Sequence, residues 1–411
     1  MVKNTKSIEI FRGDKILWIL VIIISVFSLF AVYSASTNLQ YIVGNGTAIG
    51  HLGKHFVYMV VGLGIMRMFS GGISFRVVGK ISSWLLPLMI LALVYAIIQG
   101  KTIDGTSAGR WIDLKVFSFQ PSVLAYLVLV IYLCRFLAKT MVEKEQTIWE
   151  IILKVFLPIT VVFGLVFIEN GSTGAIILLV STLVLLMGQL KLKYIGGFIL
   201  TMLIGITVFI IVAKTTDWIP KNRVDTWEKR VERFLGKEEP SKVNDVNEAF
   251  LRGDYQSAHA KLAIVHGGMM GVGAGKSALK SRLPQSASDF IFAIIVEEWG
   301  LVGGVALICM YFIVFMRIIT IAHKTPSLFG ALLVISIGWM IFIQLATNVL
   351  VAVGAMPVTG QPLPLVSLGG SALWVTYIQL GIVLNVSAGT PLRDEEGNSQ
   401  KPSIEEMNDI A

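Results

Sequence analysis

Charge is what this sequence has least of. Only 15% of its 411 residues are Asp, Glu, Lys or Arg, against 55% hydrophobic. Soluble domains carry roughly 25% charged residues, so a water-soluble globule is excluded, and the mean hydropathy of +0.76 agrees. Cysteine is nearly missing as well. Cys134 and Cys309 stand apart in apolar runs, which excludes a disulfide framework and a cysteine metal motif. The net charge of +8 is no nucleic-acid footprint, because the basic residues sit mainly at the ends of apolar runs. Internal repeats of about 20–50 residues are not evident either.

What is there is an all-α integral membrane protein. An uncharged run from Ile16 to Ala35 follows a tail carrying Lys3, Lys6, Arg12 and Lys15. It exceeds the roughly 7–15 residues of a cleaved signal core, and reads as a retained helix. Further apolar runs fall near 53–70, 81–99, 119–138, 150–168, 173–190, 195–213, 289–318, 327–352 and 367–388, ten in all with the first. Each is long enough to span about 30 Å of hydrocarbon. Arg76, Lys80, Lys139, Lys144, Lys191, Lys193 and Lys324 occupy alternate connections, whereas 37–51, 169–172 and 353–366 hold no Lys or Arg. The positive-inside bias then puts both tails, 1–15 and 389–411, in the cytoplasm. The large loop at 214–288, between helices 7 and 8, falls outside. Its charge-dense part, Asp225 to Glu248, predicts an amphipathic surface helix, and the polar tail after residue 389 reads as disordered.

Candidate chemistry gathers where that loop meets the eighth helix. Asp289 stands at the junction, with Glu297 and Glu298 inside the apolar run. Ionisable groups at membrane depth are costly and mark functional sites by default. The plainer reading of Asp289 is a helix N-cap. On a continuous helix Glu297 falls about 80° around the axis from Asp289 and Glu298 nearly opposite, so Glu297 is the one expected to share a groove with it. Its plainer role is a buried carboxyl that is protonated or paired with a base on a neighbouring helix, fixing packing.

The glycine-rich stretch Gly267–Ser277 is not a phosphate loop, since the glycine required five positions before Gly275 is Met270; no nucleotide is expected. Its glycines read as backbone that turns sharply or passes close to something. Lys276, Lys280 and Arg282 follow, to meet an anionic ligand or the lipid headgroups. Arg110 lies on another outer connection. Gln120-Pro121-Ser122 opens the fourth helix, with proline in the tolerated first turn. Met356–Pro364 is too apolar for a solvated loop and too rich in proline for a helix, and predicts a re-entrant wall held against protein. Gly369, Gly370 and Ser371 then let the last helix start close to a neighbour.

In this order the motifs resemble the SEDS family (shape, elongation, division and sporulation), the FtsW/RodA type of ten-helix cell-wall proteins. The matching pieces run from Tyr33-Ser34-Ala35-Ser36 through Arg110-Trp111-Ile112, Gln120-Pro121-Ser122 and Tyr255-Gln256. They continue through Leu283-Pro284, Asp289-Phe290-Ile291-Phe292, Glu297-Glu298 and Pro357-Val358-Thr359-Gly360 to Pro364 and Ser367–Ser371. The resemblance implies a peptidoglycan glycosyltransferase of the bacterial inner membrane that polymerises lipid II. The implied partners are a class B penicillin-binding protein and other cell-division membrane proteins. It implies Asp289 as the essential acid, a general base or the ligand of a divalent cation (Mg or Mn), with Arg110, Lys276, Lys280, Arg282 and Ser371 toward the substrate. Glu297, Gln120, Pro121, Pro364, Gly369 and Gly370 would build the groove. The stretch Gly271–Ser277 is closer to the division type than to the elongation type. A lipid II flippase and a non-catalytic scaffold are the rival readings. Two departures stand out: Val123 and Tyr126 replace the family's Glu and Lys, and Glu169–Gly174 replaces its Pro-Asp.

Overall fold

The computed structural model describes residues 11–36, 47–99, 112–113, 118–143, 147–215, 253–283 and 285–389. Arg110, Trp111, Pro284, the predicted helix at 225–248 and the tail after 389 lie outside them.

The chain is helical: α1 Lys15–Ser36, α2 Ala48–Gly71, α3 Phe75–Gln99, α4 Pro121–Glu143, α5 Ile148–Glu169, α6 Gly171–Met187, α7 Leu192–Thr215, α8 Gly253–Gly267, α9 Ile291–Lys324, α10 Leu328–Ala352 and α11 Gly370–Ala388. Among the described residues, nine of these are long and apolar enough to cross a membrane, and α6, at 17 residues, is the shorter tenth apolar helix. The ten expected spans are thus present. The sheet is a two-residue ladder, with β1 (Ile112–Asp113) antiparallel to β2 (Ser118–Phe119).

Local chemistry sets the ends. Asp14, Thr47, Asn170 and Ser327 each accept an amide of the first turn at 2.9–3.3 Å, satisfying donors the helix leaves orphaned. Pro121 takes the first position of α4, where its missing N–H costs nothing. A π-turn, Ile152–Phe156, interrupts α5.

Small residues decide who packs where. A Cβ on Gly62 would sit 2.0 Å from the Tyr377 ring, and one on Gly381 would sit 2.9 Å from Met66 O, so α2 and α11 meet nearly backbone to side chain. A buried polar seam joins α1 to this pair: Ser25 bonds Tyr377 at 2.7 Å and Ser28 bonds His55 at 2.8 Å. At the other end, Asp14 takes both Nε and Nη2 of Arg317 at 2.9 and 2.5 Å, and Asn385 donates to Phe69 O at 2.9 Å. These contacts fix α1, α2, α9 and α11 as one block.

Two features differ from the expected pattern. Helix α8, inside the stretch read as loop, lays Gln256, Ala260, Ala263 and Gly267 on one buried face against α9. And α9 is not straight. Gly300, at φ +72° and ψ −179°, breaks it one turn past Glu297.

Candidate active site

Asp289 sits in a turn before α9, not on the helix. The cap position of α9 belongs to Phe290, one residue further on. The turn starts from Gln285 at φ +56°, whose carbonyl receives the amides of Ser288 and Asp289 at 3.0 and 3.1 Å. Asp289 is half-buried.

Three other segments hold that turn, and a fourth, α6, braces one of them. Asn348 of α10 donates Nδ2 to Asp289 O at 2.9 Å and to Gln361 O at 2.8 Å. Gln361 reaches Thr173 Oγ1 in the first turn of α6 at 2.7 Å. Ser367 Oγ donates to Ser288 O at 2.5 Å, and Leu368 N to Ala287 O at 2.8 Å. Ser286 Oγ caps Ala35 O, near the end of α1, at 3.1 Å. Gly360, at φ +70°, faces the carboxylate itself: a Cβ there would lie 3.5 Å from Asp289 Oδ2. The backbone that carries this carboxylate is pinned, as that of a free loop would not be.

The stretch expected as a wall, Met356–Pro364, is non-helical backbone but only partly buried. Thr359, Leu363 and Pro364 are buried, whereas Met356 and Gly360 are exposed, and the buried run continues to Ser367. Leu363, Leu365, Val366 and Ser367 are all buried. Its carbonyls find partners: Pro364 O accepts from Tyr311 OH, and Pro362 O from Gln344 Nε2 at 3.0 Å. That is the condition for irregular chain at membrane depth.

No described contact joins Glu297 to the Asp289 turn. The predicted angle assumed one continuous helix from Asp289, whereas α9 begins at Ile291. Its carboxylate is fully buried and takes His266 Nδ1 at 2.9 Å, the amides of Ala278 and Leu279 at 3.0 and 3.3 Å, and Ser277 Oγ. The plainer role holds: a buried acid met by a base from the neighbouring helix α8. Glu298 accepts from Ser34 Oγ and from Ser277 N at 3.4 Å.

Together the two acids seat the glycine stretch. Val272 N and Gly273 N donate to Glu297 O and Glu298 O, each at 3.0 Å, carbonyls that the break at Gly300 leaves without helical partners. In return Leu301 N and Val302 N donate to Gly268 O and Met269 O at 2.9 and 3.2 Å. The close approach is extreme, since a Cβ on Gly271 would lie 2.2 Å from Glu298 O and one on Gly300 2.2 Å from Met269 O. The cations ride on this platform. Lys280 Nζ donates to Gly275 O at 2.8 Å and to Ser34 Oγ at 3.5 Å; Lys276 and Arg282 are exposed.

Of the remaining expected residues, Pro121 is buried and Gln120 half-buried at the start of α4. No described contact joins either of them to the Asp289 turn. Gly369 is the extended cap of α11, Gly370 opens it against the Tyr58 ring, and Ser371 lies buried in its first turn. His266, Asn348 and Gly300 are the residues sequence reasoning missed. An amide deep in an apolar helix was the available signal for Asn348.

The chain is similar to solved structures of the same architecture. It superposes on the rod-shape-determining protein RodA of Thermus thermophilus with a TM-score of 0.64 at 23% identity, over 92% of this chain and 97% of that one. For a peptidoglycan synthase complex that coordinates polymerization and crosslinking, the TM-score is 0.65 at 24% identity, over 91% and 97%. Among curated relatives, the probable peptidoglycan glycosyltransferase FtsW of Marinomonas mediterranea is 27% identical over 94% of this chain and 91% of its own length. The cell cycle protein family of FtsW, RodA and SpoVE matches residues 14–391, nearly the whole sequence, and the chain belongs to that family.

Proposed function

We propose that this protein is a peptidoglycan glycosyltransferase of cell division, joining lipid II into glycan strands at the outer face of the bacterial inner membrane. Both termini lie in the cytoplasm on this reading. A class B penicillin-binding protein and other division membrane proteins are its partners. The observation that carries it is Asp289: a half-buried acid on the turn before α9, tied to α1, α10 and the wall. Relatives named FtsW support the activity.

The reaction joins the 4-hydroxyl of one lipid-linked disaccharide to the anomeric carbon of another. A sugar hydroxyl is a weak nucleophile, so a held carboxylate that takes its proton contributes typically ~10²–10⁴-fold. As the new C–O bond forms, the bond from the anomeric carbon to phosphate breaks and its electron pair leaves on the lipid diphosphate. Lys276, Lys280 and Arg282, carried on the glycine platform, supply cations toward that charge. A divalent cation also fits the donor set. Asn348 Oδ1 and Thr359 Oγ1 are buried, hard oxygens without a hydrogen-bond partner on segments that adjoin Asp289. Asp289 with one of them would hold Mg or Mn, the substrate phosphates completing the shell, and the ion would neutralise charge on the leaving group.

Asp289→Asn keeps size and loses the base. It should insert and bind its partner normally while glycan polymerisation from lipid II falls at least a hundredfold; a rate within about tenfold of wild type refutes the assignment. Lipid II flipping measured on the same variant should be unchanged, and its loss in parallel would favour a transporter.

A further inference from the structure

We propose that the amino end of α11 seats the diphosphate of the lipid-linked sugar donor, a role that rests on the glycosyltransferase reading. This 19-residue helix starts without a side-chain cap and with no acid in its first turn. The first of its amides with a helical partner is that of Leu373, which donates to Gly369 O at 2.9 Å. The N–H groups of Gly370, Ser371 and Ala372 are the orphans every helix leaves at this end, and the macrodipole adds about half a positive charge there.

Ser371 is the independent observation. It is 3% exposed, and its Oγ has no hydrogen-bond partner. Buried hydroxyls are nearly always paired, so this one is open to a ligand or a water. Helical Cβ atoms tilt toward the amino end, which sets this hydroxyl beside the three amides. Together they form a donor set suited to phosphate oxygens.

Its place relative to Asp289 follows from the backbone. Leu368 N and Ser367 Oγ are bonded to Ala287 O and Ser288 O at 2.8 and 2.5 Å, and α11 opens two residues further on. Acid and anion-binding amides therefore stand on adjoining, mutually bonded segments. The acid takes the acceptor's proton, and the helix end takes the negative charge that appears on the diphosphate as the anomeric bond breaks.

The test is equilibrium binding of undecaprenyl diphosphate to the purified full chain in nanodiscs, with undecaprenol and phosphatidylglycerol as competitors. Ser371→Ala should weaken diphosphate binding about tenfold, the effect of one hydrogen bond to a charged group. Ser371→Asp should abolish it, because a carboxylate at the helix end repels the diphosphate. Diphosphate binding within twofold of wild type in Ser371→Ala overturns the site, whether or not the Asp variant folds. Equal competition by phosphatidylglycerol also overturns it, since a general headgroup contact would then explain the binding. If wild type binds diphosphate as expected but yields no polymer from lipid II, the site stands and the catalytic reading falls.

Discussion

Gly300→Ala is the sharpest test of the glycine platform. At φ +72° and ψ −179° this residue occupies backbone space essentially reserved for glycine, a cost of roughly 1–3 kcal/mol for alanine. The added methyl would also sit 2.2 Å from Met269 O and 2.5 Å from Gly271 N. Since these are backbone atoms, no rotamer relieves the contact. The platform must lift, breaking the four bonds that link 268–273 to 297–302. At about 0.5–1.5 kcal/mol net each, the bonds and the backbone strain together come to ~3–9 kcal/mol against the seated loop. The helices on either side stay packed, so the loss should appear as local opening. Amide exchange at Val272, Gly273, Leu301 and Val302 should quicken by at least a hundredfold, about 2.7 kcal/mol. Gly197→Ala is the control: nothing lies within 4 Å of its Cβ, and the variant should be neutral or gain up to ~1 kcal/mol. Exchange within threefold of wild type in Gly300→Ala would mean that the crossing is looser than its geometry states, and would refute the platform.

Tyr311→Phe removes the donor to Pro364 O; it should cost about 1–3 kcal/mol in thermal unfolding by leaving a buried carbonyl unpaired, and a loss below 0.5 kcal/mol would show that water reaches the wall. Val123→Glu should lower both stability and polymerisation, because Val123 and Tyr126 pack against the apolar core, and adding Tyr126→Lys should restore part of each; a silent single variant would mean a wet site. Lys276→Cys, exposed on the platform, should react with an impermeant thiol reagent in intact spheroplasts, and labelling only after lysis would reverse the proposed orientation.

The spans were legible because each is a long apolar run with charge at its ends, and the structure returns ten such helices close to the predicted bounds. That Met356–Pro364 is not helical was legible for a related reason, since prolines in an apolar stretch forbid a helix; that only part of it is buried was not. What the sequence hid is where the chain leaves regular periodicity. The angle between Asp289 and Glu297 presumed an unbroken helix, and one glycine at 300 among several in α9 gave no sign that it alone turns left-handed. His266 was hidden differently: its partner lies 31 residues away, and the pairing follows from how α8 lands on α9.

The family departures at Val123, Tyr126 and Glu169–Gly174 need not disturb the Asp289 site, because its supports lie elsewhere. The turn hangs on Asn348, Ser367 and Leu368, and on Ser286 bonded to Ala35, none of which belongs to the altered segments. Only the Gln361–Thr173 bond touches one of them, and there Asn170 still caps α6 through Ser172 N at 3.2 Å. The helix that presents Thr173 therefore begins in place without the Pro-Asp pair. On α4 the family resemblance implies that an acid and a base were replaced together, and losing a buried ion pair as a unit is far less damaging than losing one partner. A carboxylate held chiefly through main-chain carbonyls and three side chains outside the substituted regions can keep its geometry while the groove around it changes.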